Sequence, residues 1–189
     1  EDLREEHFRH FLAYWFIRHT RGKVRASAGK MMAVLEKFCR WVYAHHGIEL
    51  PRLYAPVREA LEEALPRLYR LEQVLSPFRG DPYTCYVAAL EGKEKAREMG
   101  LLANAPYLAR VQGNFEVVAV LLDCRAGLKR LRDGRDVGPV QLPREAEGLL
   151  EKGDILHLEL GQKDFEWEVL ESGFCYPALA REFLQQEEL

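Results

Sequence analysis

Apolar residues recur every three or four positions along the first part of the chain and every second position along the last part. That change of period constrains the fold more than any other feature, because 3.6 and 2.0 are the periods of helix and strand. Helical spacing runs as far as Leu75, and alternation takes over from Phe115. The chain is therefore expected to be α+β. An N-terminal all-α helical bundle over residues 3–75 should precede a small C-terminal antiparallel β-barrel, SH3-like or OB-like, over residues 115–171. The period changes in the stretch between them, which places a domain boundary near residue 105 and divides 1–105 from 106–189.

Phe8, Phe11, Leu12, Trp15, Phe16 and His19 fall on one helical face, and Tyr14 and Ile17 widen it. Thr20-Arg21-Gly22 breaks the pattern. Ser27 is placed to cap the next helix through its hydroxyl. Its stripe is Met31, Val34, Leu35, Phe38, Cys39 and Val42, with Gly47 as the C-terminal stop. An αα-hairpin follows, with Trp15, Phe16, Leu35 and Phe38 buried against one another. Pro56 suits the first position of a third helix, whose stripe continues through Val57, Leu61, Leu65, Leu68, Leu71 and Leu75. Pro66 should divide that run near Leu65.

The segment FLAYWFIRHTRGKVRASAGKMMAVLEKFCRWVYAHHGI resembles the opening of the SAM-like core-binding helical domain of tyrosine recombinases and phage integrases. The matching positions are Phe11, Trp15, Ser27, Leu35, Phe38, Trp41 and Gly47. The resemblance implies a helical domain that clamps duplex DNA. It covers only about 45 residues, and the His-x-x-Arg motif of the family's catalytic half occurs nowhere in this chain. Recombinase activity is therefore not implied.

Beyond Leu75 the chain is hardest to read. Thr84 to Met99 has helical spacing and Gly100 a helix stop, while Gly113-Asn114 suggests an irregular connection. Phe115–Asp123 then reads as a strand. A second strand, Gly127–Arg132, is joined by the Asp133-Gly134 hairpin signal to a third, Val137–Leu142, which Pro139 confines to an edge or bulge. Residues 143–150 suggest a turn or two of helix. In the next strand Leu156, Leu158 and Leu160 form the core side. Phe165, Trp167 and Val169 alternate in the last one, and a short helix from Ala178 to Gln186 closes the pattern.

The net charge of −3 conceals a division. Residues 1–50 carry nine basic and six acidic side chains, residues 51–111 nine and eight, and residues 112–189 nine and sixteen. The successive balances are +3, +1 and −7. Between His7 and Leu35 there is no acidic residue, and Arg18, Arg21, Lys23, Arg25 and Lys30 collect around the predicted turn. Two readings stand side by side. The turn is a solvated loop whose cations complement a helix dipole, or it is a surface for the phosphates of DNA or RNA.

Other chemistries are weaker in the sequence. Four cysteines are dispersed without a C-x-x-C pair, as buried small apolar residues are. His7, His10, His45 and His46, or Asp123, Asp133, Asp136 and Asp154, would suit a metal only if the fold gathered them. Cys175 would need His157 as a base. No glycine-rich phosphate loop is present, no cofactor is implied, and no catalytic or metal-ligating residue is assigned.

No apolar run approaches bilayer length, and no leader-like segment opens the chain, so a cytoplasmic protein without a membrane partner is expected. Only two Asn, two Thr and three Ser occur beside abundant charge, a bias that thermophiles share. The expected function is non-enzymatic nucleic-acid binding through the basic hairpin turn. The alternative is a protein-assembly module with the acidic barrel as its docking surface; oligomeric state is not legible.

Overall fold

The computed structural model describes residues 3–20, 27–75 and 107–187. The predicted 84–99 helix and the boundary near residue 105 lie outside them. The first helical stretch consists of α1 (Glu5–Arg9), a π-helical segment (His10–Trp15) and α2 (Phe16–His19). Then come α3 (Ala28–His46), α4 (Leu50–Leu61) and α5 (Ala64–Leu75). The strands are β1 (Ala109–Leu121), β2 (Arg125–Arg130), β3 (Asp136–Gln141), β4 (Ile155–Lys163) and β5 (Glu166–Tyr176), followed by α6 (Arg181–Glu187). The helix-then-strand order is the one the change of period predicts.

The π segment alters which aromatic residues are buried. The Phe16 N–H reaches back five residues to the Phe11 carbonyl, so the turn holds an extra residue and later side chains fall out of α-helical phase. Phe8, Leu12, Ala13, Phe16 and Ile17 face the core, whereas Trp15 is 40% exposed. On α3 the buried stripe is Ala28, Met32, Cys39 and Val42, with Leu35 partly buried. This face is rotated from the expected one, and Phe38 is 48% exposed. The predicted packing of Trp15, Phe16, Leu35 and Phe38 is therefore corrected: of the four, only Phe16 is fully buried, because the small residues Ala28 and Cys39 let the neighbouring helices approach on their side.

Helix ends follow local chemistry. Gly47 stops α3 in the left-handed conformation, φ +66°, with its N–H donating to the Tyr43 carbonyl at 2.9 Å. Ser27 stands at the N-cap without a hydroxyl cap; its carbonyl instead accepts from Lys30 N–H at 2.9 Å and Met31 N–H at 3.2 Å. α4 begins at Leu50 rather than at Pro56, with Pro51 in its first turn and Pro56 inside it. The long run does divide, at Glu62-Glu63. The break puts Pro66 in the first turn of α5, where its missing N–H is tolerated.

The five strands form one mixed sheet in the order β1-β2-β3-β5-β4, and β1 also pairs with β4 from Ala109 to Glu116, returning the ladder to its first strand. The purely antiparallel expectation is corrected by β3 and β5, which run parallel through Val140↔Trp167 and Gln141↔Glu168. β1 starts earlier than predicted and absorbs Gly113-Asn114. Asp133-Gly134 makes the expected tight turn, with Gly134 at φ +68° donating to the Arg130 carbonyl. Leu156, Leu158 and Leu160 are buried on the sheet's core side as the alternation predicts. Phe165 is 92% exposed at the β4–β5 turn, so only Trp167 and Val169 of that triplet pack inward.

Helices and strands share their cores. Leu68, Leu71 and Leu75 of α5 pack with Phe115, Val117, Leu128 and Trp167, while Ile155, Tyr176, Ala180 and Leu184 join the helical cluster. α5 is fixed by Arg67, whose guanidinium grips Asp154 at 2.6 and 2.9 Å and donates to the Leu149 carbonyl at 2.7 Å. No described helix is long and apolar enough to cross a membrane.

Two stability experiments check this packing. Phe16→Ala should cost about 3–5 kcal/mol, a buried cavity, and Phe38→Ala under about 1 kcal/mol, by denaturant unfolding. Arg67→Ala should cost about 3–5 kcal/mol because it strands a buried carboxylate, and pairing Arg67→Met with Asp154→Leu should recover most of that loss.

Candidate nucleic-acid interface

α3 carries two complete stripes. The inner one is held down in its second turn by Tyr54 of α4, which is 1% exposed and donates its hydroxyl to the Met32 carbonyl at 2.7 Å. Phe8 packs on the same ring at 5.3 Å between centroids. Burial pushes the Tyr54 phenol up to about 12.

With the inner face fixed, Lys30, Val34, Lys37, Phe38, Trp41 and His45 share the opposite side, at spacings of three, four and seven. All six are exposed; Val34 stands at 61% and Trp41 at 52%. The Trp41 ring stacks on His45 at 4.7 Å and meets the edge of His46 at 5.6 Å. His45 Nδ1 lies 2.9 Å from the Trp41 carbonyl, to which it donates, so the imidazole is tied to the backbone beneath the indole. From His7 to Ile48 the only acidic residue is Glu36. It is turned away from this stripe into ion pairs with Arg58 and with Arg40, the latter at 2.5 Å. The outer face therefore presents amines and aromatic rings with no carboxylate among them.

The residues predicted from sequence separate. Lys30 lies on this face and is exposed. Arg18 is half-buried: its Nε donates to Tyr176 Oη at 3.0 Å, and Nη1 donates to Tyr14 Oη at 2.8 Å and to Glu187 at 2.6 Å. Burial opposes its charge, but Tyr176 and Glu187 outweigh that and hold its pKa above the ordinary value. Arg18 thus braces α2 against β5 and α6. Arg21, Lys23 and Arg25 lie outside the described residues.

Phe38 was expected in the core, since an aromatic residue at helical spacing reads as core, and Lys37 and Trp41 were not singled out as surface residues. The signal was present in the spacing. Ala28, Met32, Leu35, Cys39 and Val42 already form an unbroken stripe at spacings of four and three.

The remaining candidates serve structure. His7 Nδ1 accepts from the Arg4 N–H, His10 meets Phe183 edge-on, and His157 pairs with Asn114. Asp133 binds Arg130 and Asp154 binds Arg67, while Asp123 lies near Arg125. Among the described residues no three His, Cys, Asp or Glu side chains gather as a metal site. Cys39, Cys124 and Cys175 form no disulfide, and burial pushes the Cys39 thiol up. A groove of about 820 Å³ runs beside Leu142, Phe165 and Trp167, and a cleft of about 600 Å³ separates α3 from α4 at Glu36, Arg58 and Glu62.

In comparisons with known proteins, no family model, curated protein or solved structure matches the chain.

Tyr54 supplies a test of how α3 is seated. Its folded pKa of about 12 exceeds the unfolded value of about 10. The stability it contributes is therefore complete below about pH 10 and is lost as pH rises through 10 to 12. Thermal melts should show a steep decline across that window, and Tyr54→Phe should lower stability at neutral pH while flattening the decline. An unchanged alkaline slope would show that Tyr54 does not pin α3.

Proposed function

We propose that this chain is a non-enzymatic nucleic-acid-binding protein whose contact surface is the outer face of α3. The observation that carries the reading is the composition of that face: Lys30 and Lys37 share it with Val34, Phe38 and Trp41, all are exposed, and Glu36 of the same helix is engaged with arginines. Clustered cations on one helix release counterions from a polyanion, and exposed rings give bases a surface to pack on. Arg21, Lys23 and Arg25 add three cations just before this helix in sequence. The resemblance to the integrase core-binding domain agrees with a helical contact surface of this kind.

We read the strand order, with β1 between β2 and β4, as OB-like. Many OB-like sheets bind nucleic acid on their own strands. Here the strand half carries a balance of −7, which repels phosphate. In this reading it is the scaffold, and α3 is the contact.

Fluorescence anisotropy with labelled oligonucleotides at low salt tests the proposal. The full chain should bind, and its affinity should fall steeply as salt rises. Lys30→Ala with Lys37→Ala should reduce the slope of log affinity against log salt by about 2, one for each phosphate contact removed. An absence of binding to every oligonucleotide at low salt would end this reading.

A further inference from the structure

We infer that the outer face of α3 selects unpaired strands over duplex, with Trp41 and Phe38 stacking on bases while Lys30 and Lys37 hold the phosphates. This rests on the nucleic-acid reading above and gives it a substrate class.

The chemistry of the face makes the choice. A helix that reads a duplex does so in the major groove, through side chains that match base edges, chiefly Arg, Lys, Asn and Gln. The outer stripe, Lys30, Val34, Lys37, Phe38, Trp41 and His45, holds no Arg, Asn or Gln, and half of it is ring or aliphatic surface with no base edge to match. Arg40, the one guanidinium on α3, is committed to Glu36 at 2.5 Å. What the stripe does hold is aromatic surface, and an aromatic ring finds the face of a base only where the base has left its stack. Phe38 and Trp41 are three residues apart, about 4.5 Å along the axis, so both rings lie within one turn. The stack on His45 and that ring's bond to the Trp41 carbonyl order the indole before any ligand arrives.

The same composition argues against a dry protein interface. Lys is depleted at the centre of such interfaces, and Lys37 stands between Val34 and Trp41 on this stripe. A polyanion accepts both components of the face, amines and rings, without leaving a charge desolvated and unpaired.

The experiment uses the full chain with labelled oligothymidylate, oligouridylate and a mixed-sequence duplex of equal length, all at one low salt concentration. Both single strands should bind at least about tenfold tighter than the duplex, the worth of one good base–ring stack. Trp41→Ala should weaken single-strand binding by about tenfold and leave duplex binding nearly unchanged. Trp41→Phe should keep the preference. Because Trp41 is 52% exposed, both variants should melt with the parent protein, which separates a lost contact from a lost fold. The difference between the thymidylate and uridylate arms states whether DNA or RNA is favoured. Duplex bound as tightly as single strands, or an equal loss on both in Trp41→Ala, overturns the inference while the broader nucleic-acid reading survives. Failure to bind any of the three overturns both, and a shift in sedimenting mass in Trp41→Ala would then reassign the face to protein contact.

Discussion

The join between helices and strands depends on one buried ion pair. Arg67, on the first turns of α5, reaches Asp154 with two nitrogens, and the two side chains are 11% and 4% exposed. Burial opposes the charge of the guanidinium, and its bonds to Asp154 more than offset that, so its pKa is held above the ordinary value. Asp154 is itself fixed from behind: its carboxylate accepts the Glu151 N–H at 2.8 Å, and its backbone carbonyl accepts the Val117 N–H at 2.8 Å. Asp154 thus links α5 and the turn before β4 through its carboxylate, and β1 through its backbone carbonyl. A buried pair of this kind adds little net stability over an apolar replacement, but it penalises every other register, because a slipped helix would strand both charges. In the one register it permits, Leu68, Leu71 and Leu75 reach the sheet core and Glu72 accepts the Cys175 N–H.

With α5 seated, the remaining helices are held by contacts of their own. Arg18 ties α2 to Tyr176 and Glu187, so the start and the end of the described chain brace each other. α3 packs on α4 through Tyr54, Cys39 and Met32. Its opposite side meets solvent, although it carries Val34, Phe38 and Trp41. Singly exposed apolar residues are ordinary on a protein surface; three on one helical face, with lysines among them, make a patch with a stated chemistry.

The fold was legible wherever a local rule decided the outcome. Gly47 ended its helix because only a residue tolerant of positive φ can close it there, and Asp133-Gly134 turned its hairpin for the same reason. Leu156, Leu158 and Leu160 announced their own face. Where competing local solutions existed, the sequence was ambiguous. α3 has two apolar stripes, and periodicity alone does not say which one meets α4. The π segment has no composition signal, yet it moves Trp15 out of the core. The parallel contact of β3 with β5 is set by how the sheet returns on itself, which no strand encodes alone. Lys30 of the candidate site was legible as a cation without an acidic neighbour; Arg18 read the same way, and only its distant partners Tyr176 and Glu187 reveal its different role.

That difference follows a chemical division of labour. Arg9, Arg18, Arg58, Arg67, Arg130 and Arg181 each hold a carboxylate within the fold. A planar guanidinium gains several directed bonds for one ordered side chain, so it is the better choice for tying elements together. An ammonium on a flexible stem is strongly hydrated and gains little from a fixed site, which suits it to a ligand that slides or varies in sequence. On α3 the distribution follows that rule: Arg40 is spent on Glu36, while Lys30 and Lys37 stay in water beside Phe38 and Trp41. The acidic strand half then acts at longer range. Under the proposed function, its balance of −7 would repel a polyanion from the sheet and favour approach to α3.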